Sequence, residues 1–487
     1  SDNTITVWVN SGLDQAQIVR DMSLEFTEKY GINVNVNVVQ GGLVEASLAG
    51  NAPDVVIDCA RGQPINLASR NALADLSQFP GYEEVTGRFT QDAMVPYTYK
   101  DGVYALPLTQ TYLMMFYRTD IFEEMNLTVP QTWDELLRMV PRLQKNHMEI
   151  GLPYSVISAA VAVNNGMGAK DIFPILLLQN GGDLYNEDAT ASALSSEVAM
   201  QAFNQWCDYY TQYGFELVYD FYTRFRNGDM PIGISDLSMY NTLVAGAPEL
   251  RGEWGIVPIP GTMQPDGTID RSTGSIGSAT VMFKTEANKD PKHAEACWKF
   301  MEWWMRTETQ DTYNEMVENV MGPAGRNATA NLESFSHLPW TEEELEALNA
   351  QRESIARVNS DSDKIVLTRK ICTVKEDWIE AIEQGLVYIE KAIKEERQFI
   401  RSNGEVIPIE KVKHVSRESV EHLAKHSNLI SRYEEGEDII PDKLYTVERL
   451  SDYAVYENKF LYMLLCYLRD FITLRYNDIL DHTNKYD

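Results

Sequence analysis

The sequence predicts an α/β fold, because apolar strands and an amphipathic helix alternate near its start. Three short strands are expected, over residues 4–10, 32–39 and 53–57. The last is almost wholly apolar, as in parallel strands covered on both faces. Between the first two strands, Ile18, Met22 and Phe26 recur every four residues, which predicts one buried face of a helix. Strands that alternate with helices in this way indicate a parallel sheet with helices packed on it.

Length, charge and cysteine usage limit the kind of protein. A chain of 487 residues is expected to form two or three domains. The formal net charge of −30 excludes a nucleic-acid-binding surface, which needs a basic footprint. No uninterrupted apolar run approaches the roughly 18 residues of a membrane-spanning helix. The five cysteines are scattered without a Cys-x-x-Cys pair, so we expect no disulfide framework, no metal site and no cofactor.

The amino terminus leaves the compartment open. Ser-Asp-Asn-Thr leads directly into a strand, without a signal peptide. The chain is therefore either cytoplasmic or a processed mature form.

The segment Tyr104–Phe122 carries the most informative local pattern. An apolar strand ends at Leu108, a polar patch follows at residues 109–111, and a second apolar run begins at Tyr112. Two buried strands with no turn between them predict a chain that leaves one core and enters another.

Further strands and helices follow this segment. Residues 131–250 are mainly helical in pattern, and strands are expected at 230–234, 254–260 and 278–283. A later helix ends in two adjacent tryptophans, Trp303 and Trp304. Adjacent residues point to different faces of a helix, so at most one of the two is expected to be buried.

The chain changes character near Val358. Residues 359–487 hold only 3 of the 29 glycines and 2 of the 19 prolines. Long runs with few breakers, at 374–401 and 453–480, predict a mostly helical C-terminal module.

Seven short segments carry a family resemblance through their order along the chain. They are residues 5–10, 26–34, 52–58, 116–122, 129–136, 228–233 and 321–326. Together they resemble the extracellular solute-binding proteins of ABC importers, sugar-binding type. The resemblance implies a two-lobed periplasmic-binding-protein type II fold. A solute would bind between the lobes, and closure of the lobes would present it to a membrane permease, without chemistry on the solute.

The resemblance also implies a division of the chain and a set of partners. Lobe 1 would comprise residues 1–110 and 279–306, lobe 2 would comprise 111–278 and 307–358, and residues 359–487 would be a helical module of different origin. The ligand would be a small-molecule carbohydrate and the partner an ABC permease. The protein would be a monomeric lipoprotein at the extracellular face of the cell membrane or in the periplasm.

The residues expected to line the cleft follow from the same resemblance. At the strand ends they are Asn10, Ser11, Asp58 and Arg61; at the first crossing Gln110, Thr111 and Tyr112; in the second lobe Ser235, Asp236, Ser238 and Tyr240; and further along Gly274, Ser275 and Arg326. Alternatives stand beside several of them. Asn10 and Ser11 could equally cap the following helix. Tyr112 and Tyr240 could equally be core aromatics with a bonded hydroxyl, whereas its strand-end position favours ligand contact for Asp58.

The tail resembles a different family. Residues 415–426 and 455–461 are similar to the region that precedes the nuclease domain in a prokaryotic family associated with McrC-like, PD-(D/E)XK-type nucleases. The two resemblances imply different compartments, so the alternative is a chimeric or fused chain whose tail is an interaction module without a catalytic core. His422 and His426 have the spacing of metal ligands, but no third ligand is near in sequence, so a packed or solvated pair is favoured.

Two further expectations concern activity. Asp58 and Asp236 could in principle act as an acid–base pair. Glycoside hydrolysis holds its two carboxyl groups roughly 5–10 Å apart, which lobes meeting at a hinge rarely fix, so no enzyme is expected. The family would continue past Val358 with a Pro-Gly-Tyr-rich segment and closing helices that cover the cleft. Their replacement predicts an incomplete far wall and weakened or lost binding.

Overall fold

The computed structural model describes residues 3–39, 41–60, 62–153, 172–187, 191–217, 219–360, 377–395, 398–433 and 439–483. The chain divides into two compact units, Ser1–Cys372 and Thr373–Asp487. The division therefore falls beyond the predicted boundary at Val358, which lies within the last described helix of the first unit.

The first unit contains strands β1 to β13. Their bounds are β1 Thr4–Val9, β2 Asn33–Val38, β3 Val55–Ala60, β4 Thr98–Tyr99, β5 Gly102–Val103, β6 Leu106–Tyr112, β7 Met114–Arg118, β8 Ile150–Gly151, β9 Ile232–Ser235, β10 Trp254–Val257, β11 Thr262–Met263, β12 Ile269–Asp270 and β13 Ser275–Met282. Its helices are α1 Leu13–Tyr30, α2 Leu43–Leu48, α3 Gln63–Ser69, α4 Tyr82–Thr86, α5 Gln91–Met94, α6 Thr119–Glu124, α7 Trp133–Lys145, α8 Ile172–Gln179, α9 Glu197–Thr211, α10 Phe221–Asn227, α11 Leu237–Gly246, α12 Pro291–Trp304, α13 Thr307–Met321, α14 Leu332–His337 and α15 Glu342–Ser360.

A five-stranded sheet organises the first lobe. Its order is β2–β1–β3–β13–β6, with β1 parallel to both β2 and β3, and β13 antiparallel to both of its neighbours. The predicted apolar face of α1 is confirmed, since Ile18, Met22 and Phe26 are buried in the core of this lobe. The helix ends at Gly31, whose φ of 66° lies in the left-handed region that glycine adopts without strain.

A second sheet organises the second lobe, in the order β10–β7–β9–β8. One apolar cluster on it includes Trp133, Leu143 and Ile232, and another includes Phe116, Phe225 and Leu348. The two sheets, each with its own core, form the predicted two-lobed α/β architecture.

The polar patch at residues 109–111 does not interrupt its strand, contrary to the expectation of two strands separated by a gap. β6 runs through the patch because Thr109, Gln110 and Thr111 pair with consecutive residues of β13. Only Leu113 separates β6 from β7. The chain therefore passes from the first sheet to the second within a single residue.

Two other segments lie beside this crossing. The chain returns through Arg271–Gly274 into β13. After α13, the backbone of residues 328–330 bonds to β6, with the N–H of Gln110 2.8 Å from the carbonyl of Ala328. In the described part of the chain, these three segments connect the lobes.

The segment 307–358 contributes to both lobes. Tyr313 and Val317 of α13 belong to the core of the first lobe, whereas Leu348 and Ile355 of α15 belong to a core of the second. The boundaries assigned to the individual lobes stay predictions.

The prediction for the paired tryptophans is wrong, because Trp303 and Trp304 are both buried. The ring of Trp303 lies 5.0 Å from that of Phe26 in α1, and the ring of Trp304 lies 5.0 Å from that of Tyr313 in α13. Helix α12 is thus covered on two faces, by α1, which precedes it in the sequence, and by α13, which follows it.

The second unit combines helices with antiparallel strands. Its elements are α16 Asp377–Lys394, β14 Phe399–Pro408, α17 Arg417–Lys425, β15 Ile430–Tyr433, β16 Ile439–Pro441, β17 Lys443–Asp452 and α18 Tyr456–Thr483. The two long helices agree with the prediction of a mostly helical module. The ten-residue pairing of β14 with β17 was not expected, and residues 399–401 are strand where helix was predicted.

Candidate ligand-binding cleft

A polar cluster forms where β1 and β3 end, at the edge of the first sheet. The side-chain amide of Asn10 donates to the backbone carbonyl of Asp58 at 3.2 Å. The hydroxyl of Ser11 donates to the carboxylate of Asp58. The three residues meet because neighbouring parallel strands end at the same edge of a sheet. Helix α1 begins after Gly12 without a side-chain cap, so neither Asn10 nor Ser11 takes the capping alternative.

Asp58 has an uncommon backbone conformation. Its φ is 74°, and of the five non-glycine residues with positive φ in the described part of the chain, it alone lies inside a strand. Such conformations cost about 1–3 kcal/mol and occur at functional sites more often than elsewhere. Burial raises the pKa of Tyr313, and the negative charge of Asp58 raises it further, which places this hydroxyl near the cluster.

The predicted residues at the crossing are held by the protein itself. The hydroxyl of Thr111 accepts a hydrogen bond of 3.3 Å from the backbone N–H of Leu237, at the start of α11. Gln110 is buried, and so is Ser275, which pairs with Tyr112 across the sheet. Gly274 is half-buried next to it. These contacts fix the hinge and tie it to α11.

Tyr112 is a core residue whose hydroxyl is used. It is 1% exposed and donates to the carbonyl of Leu348 at 2.8 Å. Burial raises the pKa of Tyr112 to about 12, although the nearby guanidinium of Arg352 acts in the opposite direction. This arrangement matches the core-aromatic alternative.

Tyr240 is also packed in a core. Its ring makes edge contacts with Trp254, at a centroid distance of 5.2 Å, and with Trp340, at 4.7 Å. Its hydroxyl donates to a carboxylate oxygen of Glu344 at 2.8 Å. Tyr240 therefore matches its alternative interpretation, a core aromatic with a bonded hydroxyl.

The start of α11 supplies the second lobe's polar groups. Ser235 ends β9, and the carboxylate of Asp236 caps the helix by accepting from the backbone N–H of Ser238 at 3.0 Å. The hydroxyl of Ser238, which is exposed, donates to the same carboxylate. Asp236 and Ser238 flank Leu237, whose backbone N–H bonds Thr111, so the cap holds a carboxylate and a hydroxyl beside the hinge contact.

Arg326 joins the two sides. Its guanidinium makes two hydrogen bonds to the carboxylate of Glu318 in α13, at 2.9 and 2.7 Å. Its backbone carbonyl accepts from the side chain of Asn241 in α11 at 3.0 Å. Burial raises the pKa of Tyr240 and the charge of Arg326 opposes this, so the guanidinium also lies near that ring. Arg326 is thus committed to an ion pair, and its backbone bridges α13 and α11.

Sequence reasoning missed Asn241, Tyr313 and Trp340. Asn241 could have been found, because it lies three residues after Ser238 and therefore on the same face of α11. Tyr313 and Trp340 gave no local signal, since the electrostatic effect of Asp58 on Tyr313 and the ring contact of Trp340 with Tyr240 depend on distant parts of the chain. Arg61, which was also predicted, lies outside the described residues.

The arrangement suits a neutral, polar ligand. Carboxylates, hydroxyls and amides lie at the ends of β1 and β3 and at the start of α11. Such groups bond ligand hydroxyls in pairs. Asp58 and Asp236 each accept a hydrogen bond from a neighbouring hydroxyl.

Every described helix is too short or too polar to cross a membrane.

Comparison with known proteins agrees with the fold. Binding proteins of Brucella abortus and Brucella suis are 24% identical over 306 residues, which is 59% of this chain and 68% of theirs. A solute-binding protein of an ABC transporter from Thermotoga lettingae, solved with α-D-tagatose, superposes with a TM-score of 0.52 at 19% identity, over 78% of this chain and 98% of that one. The mannobiose-bound protein CpMnBP1 gives a TM-score of 0.50 at 19% identity, over 72% of this chain and 88% of its own.

A family model covers most of the first unit. It describes bacterial extracellular solute-binding proteins, which are not enzymes, and it matches residues 22–331. This range contains every strand of the two sheets except β1, and it lacks the first part of α1. It includes the hinge and Arg326. The chain belongs to the bacterial extracellular solute-binding proteins.

Proposed function

We propose that the first unit captures a mono- or oligosaccharide in the cleft between its lobes and delivers it to the permease of an ABC importer. Capture takes place as a monomer, at the extracellular face of the cell membrane or in the periplasm. From the predicted site we leave out Gln110, Thr111, Tyr112 and Ser275, which lie in the paired strands of the crossing, the packed Tyr240, and Arg61, which lies outside the described residues. The other predicted residues are kept. They are Asn10, Ser11, Asp58, Ser235, Asp236, Ser238, Gly274 and Arg326, to which we add Asn241 and Tyr313.

The observation that carries the proposal is the cluster at Asp58. A carboxylate in a left-handed backbone conformation, braced by Asn10 and Ser11, sits at the strand edge where ligands of α/β sheets gather. Across the hinge, α11 begins with further hydroxyl and carboxylate groups, fixed to the crossing strand through Thr111. Side chains held in place before binding lose little entropy when a sugar hydroxyl is bound.

The ligands of the structural neighbours support the cargo class. One neighbour holds tagatose and the other mannobiose, a monosaccharide and a disaccharide. Both neighbours have the fold of this chain, and both ligands offer arrays of hydroxyls that carboxylates and amides can bind.

Isothermal titration calorimetry tests the proposal. The purified chain is titrated with a panel containing tagatose, mannobiose and other sugars, together with an amino acid and a dipeptide. We expect one sugar to bind with a Kd in the micromolar range, about −8 kcal/mol. Asp58→Asn should weaken it, whereas Asp266→Asn, in the exposed turn between β11 and β12, should not. Heat from no carbohydrate would contradict the cargo class, and conversion of a bound sugar to product would contradict a binding protein.

The division into two compact units favours a second proposal, that the chain is a fusion. The unit Thr373–Asp487 would then be an interaction module of a nuclease-associated defence protein, without a catalytic core. Sequencing of source DNA across the codons for residues 358–373 tests this. A break in the reading frame there would contradict a natural fusion.

A further inference from the structure

Three side chains of metal-binding type meet in the first lobe, in a position separate from the cleft residues. They are Asp54, which directly precedes β3, and His293 and Cys297 in α12. One donor atom from each lies within 4.8 Å of the others. His293 and Cys297 are four residues apart, so both lie on the helix face that meets the sheet. Across the described ranges, these three form the one such group of His, Cys, Asp and Glu donors.

The carboxylate of Asp54 is held in a fixed orientation. One oxygen accepts from the backbone N–H of Thr6 at 2.9 Å and lies 3.0 Å from Nε2 of His293. The other accepts from the hydroxyl of Thr285 at 2.9 Å. Bonds of this kind orient a ligand before the metal arrives, and they are typical of the groups around metal ligands.

The thiol of Cys297 faces a further oxygen. It is fully buried and donates to Oδ1 of Asn288 at 3.3 Å. The amide nitrogen of Asn288 donates to the carbonyl of Phe283 at 2.8 Å, which keeps Oδ1 turned toward the sulfur. Burial raises the pKa of this thiol, and the negative charge of Asp54 raises it further.

An ion can reach the group from solvent. His293 lines an open cavity of about 700 Å³ on the surface of the first lobe, together with Tyr30, Glu84, Asp290, Glu295 and Glu302. Four carboxylates stand against the two ammonium groups of Lys292 and Lys299 in its lining, and this excess of negative charge favours cations.

We propose that Asp54, His293 and Cys297 bind a Zn²⁺ ion. One oxygen, one imidazole nitrogen and one thiolate sulfur are the donors that zinc takes in proteins, at about 2.0–2.3 Å. The ion occupies the place between the Asp54 carboxylate and the His293 ring that a proton fills in its absence. On binding, Cys297 releases its proton to solvent and the Nε2 proton of His293 moves to Nδ1, or leaves if the ring is cationic. Oδ1 of Asn288 or a water molecule from the cavity completes four-coordination.

The role of such an ion is structural. Asp54 directly precedes β3, the central strand of the first sheet, and α12 covers that sheet, so the ion joins the two layers through bonds to both. The competing interpretation is a hydrogen-bonded network that holds no ion. It predicts that the thiol of Cys297 binds no added metal.

Cobalt(II) absorption spectroscopy on the full chain, stripped of metal with EDTA, tests the proposal. We expect a thiolate-to-cobalt charge-transfer band in the near ultraviolet, saturating at one ion per chain and removed by equimolar Zn²⁺. Cys297→Ser should abolish the band. Cys59→Ser, which changes another fully buried thiol of the same lobe, should leave it. The titration is made in a background with His422→Asn and His426→Asn, because this stacked surface pair could bind cobalt by itself.

Thermal unfolding provides the second measurement. Added Zn²⁺ should raise the Tm of the parent chain progressively, since an ion bound only by the folded state stabilises it. His293→Asn, a half-buried change that removes one ligand and keeps the thiol, should reduce this rise. Absence of the charge-transfer band in the parent chain would overturn the proposal, whatever the variants do. A band or a rise in Tm that persists unchanged in Cys297→Ser and His293→Asn would also overturn it.

Discussion

The backbone of Asp58 gives a prediction in which stability and binding separate. Ala and Gly at this position both remove the carboxylate and its bond to Ser11, so that loss cancels when the two variants are compared. They differ in the cost of a φ of 74°, which glycine adopts freely and alanine does not. The left-handed conformation costs an L-residue about 1–2 kcal/mol. We therefore expect Asp58→Gly to unfold with a free energy about 1 kcal/mol larger than Asp58→Ala.

Both variants should bind the sugar poorly and to the same extent. A hydrogen bond to a charged group contributes about 1.5–3 kcal/mol, so its loss should weaken binding roughly ten- to 150-fold. Urea denaturation followed by circular dichroism measures the first quantity, and calorimetric titration measures the second. Asn71, with a φ of 58° in a turn, is the matched control. Asn71→Gly should be more stable than Asn71→Ala by a similar amount, with unchanged binding. Equal stability of the two Asp58 variants, or unchanged affinity in either, would refute the reasoning.

Three further predictions concern the hinge and the lobes. Gln179 is fully buried and bonds the side chains of Trp133 and Thr262 and the backbone carbonyls of Pro260 and Ser272. Gln179→Leu should therefore lower the free energy of unfolding by about 3–4 kcal/mol, at roughly 1 kcal/mol per bond. The exposed Gln212→Ala is its control, and a loss below 1 kcal/mol in urea denaturation would contradict this. Asn241→Ala removes the bond to the Arg326 carbonyl, so the calorimetric Kd should rise about fivefold if that contact helps to hold the lobes together; an unchanged Kd would argue against it. A hydrogen bond from His337 to the carboxylate of Asp311 raises the pKa of His337 above its ordinary value, so NMR titration should show a raised pKa that falls in Asp311→Asn. Because the folded pKa is raised, the pair stabilises fully below the unfolded pKa and loses its contribution as the pH rises through the folded value; a His337 pKa that Asp311→Asn leaves unchanged would contradict it.

Local patterns were sufficient for much of the fold. Helix α1 was predicted from Ile18, Met22 and Phe26, because apolar residues recur about every 3.6 positions in a helix that buries one face. The strand ends that meet at Asn10 and Asp58 followed from the edge rule for parallel strands. The first prediction depends only on neighbours in the sequence, and the second only on the order of strands and helices along the chain.

Features that depend on distant residues could not be predicted in this way. The patch at 109–111 looks like a break, yet β13 pairs with it and makes it strand. Trp303 and Trp304 are both buried because α1 and α13 approach α12 from two sides. In the second unit, β14 and β17 are separated by more than thirty residues, so the local sequence pattern of either strand does not predict their pairing.

The position of β13 has a consequence for synthesis of the chain. This strand fills the place between β3 and β6, but it begins at residue 275, long after β6 has ended at residue 112. While a ribosome makes the intervening residues, β3 and β6 each present an unpaired edge, which other chains can join. The second lobe has all four strands of its sheet by then, so we expect it to form first during translation. Completion of the first lobe is therefore a late event, and the period before it is when the nascent chain is most exposed to aggregation.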